Sequence, residues 1–187
     1  GITDVNLAAE VVSCRNAAAA LQDRWQGKLA KASADELVGI IGEYEHLLEQ
    51  FGRVQSHAQL LFAANTAEPE IAKHHQSMRE TGAEIYAKIL FVELEIARFD
   101  KSHVKTLLQT PTLAHFAPWL RRVRAMAPYQ LAPDIEKMIA ERAPTGSAAW
   151  VRLFDETTTA MRFPFDGRDV TEAEILDALS HSDPARR

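Results

Sequence analysis

Glu43 and His46 stand three residues apart in "EYEH", a spacing that brings a carboxylate and an imidazole onto one face of a helix. Held twice in a bundle, with two further inward glutamates, that pair builds a di-iron centre. The comparable pairs elsewhere are Asp100 with His103, at a helix boundary, and Glu70 with His74, at the wrong spacing. The second half of such a centre is therefore missing, and matches this short arise often by chance. His74 and His75 are adjacent and point in different directions on a helix. His75 falls on an apolar seam, where a hydrogen-bonded core or boundary histidine is the expected reading. Cys14 is the single cysteine. It can close no intrachain disulfide, which fits a reducing cytoplasm, and in an alanine-rich helix it reads as a small apolar filler. No glycine-rich phosphate loop follows a strand, and neither Gly-x-Ser-x-Gly nor His-Glu-x-x-His occurs. On its own residues the chain is expected to hold no catalytic set, no metal and no cofactor.

The bulk composition narrows the partners. The 187 residues include 26 acidic and 21 basic side chains, a formal charge of -5. An obligatory nucleic-acid partner is not expected, because phosphate binding needs a concentrated basic face. The densest basic run, "WLRRVRAM" with Arg121, Arg122 and Arg124, reads as a solvated helix face. No segment approaches the ~20 apolar residues of a membrane span. The expectation is a cytoplasmic protein with no membrane partner.

The elements that position these residues are helical. An alanine-rich run from Val5 to Leu29 reads as a helix by propensity. "SADE", Ser33 to Glu36, is a capping box. After it, Leu37, Ile40, Tyr44, Leu47, Phe51, Val54, Ala58 and Leu61 recur at steps of three and four, a helical seam. Gly42 and Gly52 are the positions expected to allow a bend or a close crossing. "NTAEPE" breaks the pattern, with Pro69 suited to a first helical turn. A second long seam then runs from Ile71 to Phe99, apolar around more of its circumference in "IYAKILFVELEIARF", which should lie deep. Shorter helices are expected at Ser102–Gln109, Leu113–Ala125 and Pro133–Glu141. Pro118 either kinks the second of these or delays its start. Trp150, Leu153, Phe154 and Met161 line one face of another helix.

Only "RFPFDGRDV" reads as strand. Phe163 and Phe165 alternate to one face, Asp166-Gly167 supplies the turn, and Pro164 restricts the segment to an edge. "TEAE", Thr171 to Glu174, is a second capping box, and "SDPARR" signals one more helix start. The fold expected is an all-α multi-helix bundle, with long antiparallel helices in the first half, shorter ones after, and one short β-hairpin near the C-terminus. An isolated hairpin is marginal in water unless something covers or extends it. The cover comes either from the bundle itself or from protein outside these residues. With the helix start near Arg187, the second case makes the chain a fragment.

Four segments in order carry a family resemblance. "GRVQSHAQLLFAANTAEPE" (Gly52–Glu70), "KILFVELEIARFD" (Lys88–Asp100), "TGSAAWVRLFDE" (Thr145–Glu156) and "RFPFDGRDVTEAEILDALSHSDPARR" (Arg162–Arg187) resemble the N-terminal region of oligoendopeptidase F. This is a family of zinc metallopeptidases related to thimet oligopeptidase. The likeness runs from about Gly27 to Arg187. It implies that residues 1–187 are a single helical N-terminal domain, with a His-Glu-x-x-His catalytic domain and its zinc beyond Arg187. It implies that this region confines and positions short peptides, that Phe163, Phe165 and Val170 contact the catalytic domain, and that the chain alone is inactive. Two features depart from the family: the chain opens with "GITDVN" in place of a Trp-Asp-Leu segment, and Ala132 stands where relatives often cap with serine. A free-standing, non-catalytic helical interaction module is the alternative reading.

Overall fold

The computed structural model describes residues 1–66 and 68–187, in two compact units, 1–143 and 144–187. The first unit begins with helix α1, Val5–Trp25, capped by Asp4, whose carboxylate accepts the Asn6 amide at 2.8 Å. Helix α1 stops short of the expected Leu29. Gly27 takes a φ of +79°, and the Glu95 carboxylate accepts the amides of Gly27 at 2.6 Å and Leu29 at 3.2 Å. A single 3₁₀ turn, Leu29–Lys31, leads to helix α2, Ala34–Ala64. The capping box forms as read: Ser33 Oγ accepts the Glu36 amide, and the Glu36 carboxylate accepts the Ser33 amide at 2.8 Å. The seam Leu37, Ile40, Tyr44, Leu47, Phe51, Val54 and Ala58 is buried.

The expected break at Asn65–Glu70 spans Ala67, which lies outside the described residues. Helix α3, Pro69–Ile89, opens with Pro69 in its first turn. It packs against α2 and α1. The close crossing falls at Gly82, not at Gly42 or Gly52. A Cβ at Gly82 would meet the Gln55 amide and come within 3.1 Å of the Phe51 ring, whereas Gly42 and Gly52 face open space. The long seam expected through Phe99 is divided after Ile89, and helix α4 is Phe91–Ala97. Leu90 keeps right-handed helical angles, so α4 carries on nearly in line, and Ile89, Val92 and Ile96 are fully buried as the apolar pattern requires.

Helices α5 (Lys101–Leu107), α6 (Pro111–Ala114), α7 (Ala117–Ala125) and α8 (Pro133–Arg142) complete the unit. The single helix expected over Leu113–Ala125 is two helices. Pro118 occupies the first turn of α7, where its missing N–H costs nothing, so the helix starts later. The hydrophobic core of the first unit runs from Val11 on α1 to Val123 on α7.

The second unit holds helix α9, Ser147–Ala160, strands β1, Phe163–Phe165, and β2, Arg168–Val170, and helix α10, Glu172–Ala178. The strands pair antiparallel with Phe163 opposite Val170 and Phe165 opposite Arg168. Asp166 and Gly167 both take positive φ, +56° and +80°, the two-residue turn that matches strand twist. Thr171 and Glu174 form the second capping box.

Candidate functional site

The residues with ligand-like spacing are committed to other work. Glu43 forms a two-pronged ion pair with Arg24, tying α2 to α1, and His46 is exposed beside it on a small cavity of about 150 Å³. His75 stacks on Phe62 with ring centroids 4.8 Å apart, and His103 meets Phe99 edge-on at 5.2 Å. His74 is half-buried and its Nε2 has no hydrogen-bond partner. Burial, then the nearby His57, lowers its pKa. Cys14 is fully buried, and burial pushes its thiol pKa up, away from thiolate chemistry. Among the described residues no group of three or more His, Cys, Asp or Glu side chains is placed to hold a metal ion.

Two polar arrangements in the first unit were not read from the sequence. Tyr44, one of the apolar-seam residues, donates its hydroxyl to Glu93 at 3.0 Å, and Trp119 tilts onto its ring at 6.1 Å. Burial, then the Glu93 charge, raises the Tyr44 pKa far above the ordinary phenol value, so the hydroxyl stays protonated and acts as a donor. The bond joins α2 to α4 inside an otherwise apolar layer. Glu95, two residues further along α4 and so on another side of the helix, holds the α1–α2 connection through the backbone amides of Gly27 and Leu29. In both cases the carboxylate is occupied by a structural donor. No periodicity signal finds such pairs, because their partners lie 49 to 68 residues away.

The residues expected to meet a catalytic domain lie in the second unit. Phe163 and Phe165 are half-buried, while Val170 is 1% exposed, so its side chain offers almost no surface. The open apolar area sits on the flanking helices. On α9, Trp150 is 72% and Phe154 66% exposed, with Leu153 beside them, at the spacing of one helix face. On α10, Leu176 and Leu179 are also exposed. In the first unit a similar stripe, Ile135, Met138 and Ile139 on α8, is open beside Tyr129 and Leu131. Scattered exposed apolar residues are ordinary, but helix faces of this kind mark contact surfaces.

These features define a class: an all-α bundle with one hairpin, whose later helices present uncovered apolar faces. Residues 95–163 match the family model described as Oligopeptidase F. That span contains all of Thr145–Glu156, takes in Glu95–Asp100 from Lys88–Asp100 and Arg162 and Phe163 from Arg162–Arg187, and lies outside Gly52–Glu70. The crystal structure of oligoendopeptidase-F from Enterococcus faecium superposes with a TM-score of 0.80 at 12% identity, covering 98% of this chain and 37% of that one. At that identity the likeness shows the fold. The chain thus spans well under half the length of the solved protein it resembles. None of the curated proteins matches the sequence. Among the described residues no helix is long and apolar enough to cross a membrane.

Proposed function

We propose that this chain is the N-terminal helical domain of a cytoplasmic, zinc-dependent oligoendopeptidase. In that reading it confines and positions short peptides against a catalytic domain that lies outside residues 1–187. The observation that carries it is the superposition of 98% of this chain on 37% of an oligoendopeptidase-F, together with the family match over residues 95–163. Zinc and the water it activates belong, in this reading, to that other domain, since the donors here do not form a site. What this chain supplies is shape: capped helices with Glu43, Glu93 and Glu95 tied into structural bonds, and apolar helix faces for contact.

The contact surface we assign comprises the α9 and α10 faces with Phe163 and Phe165, and Val170 supports the hairpin from beneath. Trp150 and Phe154 replace Val170 as the residues with most area to bury. The test is to read the natural gene through the codon for Arg187. A continuing frame that encodes His-Glu-x-x-His, and a whole protein that cleaves short unfolded peptides, is the expected result. A stop codon there would overturn the reading in favour of a free-standing helical interaction module.

A further inference from the structure

A cleft of about 390 Å³ opens in the first unit between the end of α1, helix α4 and the start of α8. Its floor is Leu90, Phe91 and Leu94, apolar and nearly covered. Its rim carries two cations, Arg98 and Lys137. The single acidic residue in the lining, Glu95, already accepts the amides of Gly27 and Leu29, one on each oxygen, so the lining still carries one more positive than negative charge. The cations are less committed. Arg98 donates one bond to the Leu131 carbonyl at a long 3.4 Å, and Lys137 lies 3.8 Å from Glu141 in a solvated pair. One wall is polar: the Gln26 side chain and the Gly27 main chain, where the positive φ exposes backbone.

We propose that this cleft binds the free carboxyl terminus of a short apolar peptide. The volume falls within the range of small-ligand pockets, and an apolar floor beneath a few placed charges is their usual chemistry. Charge complementarity selects a carboxylate: the lining sets two cations, Arg98 and Lys137, against the one carboxylate of Glu95, and a guanidinium takes a carboxylate through paired N–H donors. The polar wall selects a peptide over a fatty acid: the Gly27 N–H is held by Glu95 and Gln26 Oε1 by Gln22, which leaves the Gly27 carbonyl and Gln26 Nε2 to meet peptide groups that a hydrocarbon tail lacks. The whole cleft lies within residues 1–143, so its occupancy can be measured on this chain without any peptidase activity.

The experiment is an amide-resonance NMR titration of the isotope-labelled chain with N-acetyl-Ala-Leu-Leu as the free acid, the same peptide as its C-terminal amide, and octanoate. The free acid is expected to shift the Gly27, Leu94 and Glu95 amides saturably. The amide peptide should bind at least about fivefold more weakly through the loss of one charge-assisted contact at a partly solvated site, and octanoate, which keeps the carboxylate, by a similar factor because it has no peptide groups for the polar wall. Arg98→Gln and Lys137→Gln should each weaken the acid by a similar factor and leave the amide peptide unaffected. Lys137→Gln guards against a folding defect, because that side chain makes only a surface ion pair. Equal affinity of acid and amide, octanoate binding as tightly as the acid, or wild-type affinity in both variants would each overturn the proposal.

Discussion

His74 on α3 illustrates how a single side chain links burial to pH. Its desolvation, reinforced by His57, lowers its pKa below the ordinary imidazole value of about 6.5. The unfolded chain therefore binds this proton more readily than the folded one. Stability from this group is fully present above about pH 6.5 and is lost as pH falls through the lower folded value. Chemical denaturation followed at several pH values should show a midpoint that drops between pH 7.5 and 5.5, and His74→Gln should flatten that slope. An unchanged slope in the variant would remove His74 as its source. Glu174 behaves as a carboxylate of the opposite kind, held by charge-stabilising bonds in full solvent. The Thr171 amide, the Arg168 guanidinium and the Thr171 hydroxyl bring it down to about 2. The α10 cap should then persist through pH 4, where free glutamates are largely protonated, and fail only as pH approaches 2. A carboxyl-carbon NMR titration reads this directly; an inflection for Glu174 near 4 would show that the cap is not formed in solution.

At the scale of elements, caps decide which helices start firmly. Helix α8 starts at Ala132, which has no side chain to receive the orphan amides of the first turn. Ala132→Ser should stabilise the chain by about 1 kcal/mol, raising its Tm by about 2–4 °C, as scanning calorimetry can check. No gain would mean that the first turn of α8 is already satisfied. Capping boxes at Ser33 and Thr171, the Asp166-Gly167 turn and the two long seams were all legible because each is a local pattern of residue types. The end of α1 was not, because the carboxylate that takes the Gly27 and Leu29 amides of the connection after it comes from Glu95, far along the chain. Nor was the split at Pro118 resolvable beforehand, since proline fits a kink and a first turn equally well in sequence. The glycine at the real crossing, Gly82, was hidden within a seam, while Gly42 and Gly52 looked alike on paper and face open space. Trp150, Leu153 and Phe154 of the expected stripe lie on α9, whereas Met161 falls at its C-cap in extended backbone, and periodicity reports only that a face is apolar. What covers that face is a property of packing, and here these side chains stand largely in solvent.

For the whole molecule, the uncovered faces are the point at which physics and the proposed function meet. Trp150 and Phe154 make few contacts for their size, so exchanging them for charged residues removes little from the folded chain. In the proposed peptidase the same atoms would be sealed against the catalytic domain, and a carboxylate there would be desolvated without a partner. Trp150→Glu combined with Phe154→Glu should therefore shift the Tm of this chain by no more than about 2 °C, a change within about 0.5 kcal/mol. It should also reduce binding of a hydrophobic dye, because open apolar area is replaced by charge. In the longer protein the pair should lower the Tm by several degrees and depress peptide cleavage. The comparison needs only thermal melts of both lengths with and without the two substitutions. Equal destabilisation in the two lengths would place the cover inside residues 1–187 and withdraw α9 from the interface. A selective loss in the longer protein would instead identify α9 as the surface through which this chain meets the catalytic domain of the proposed peptidase.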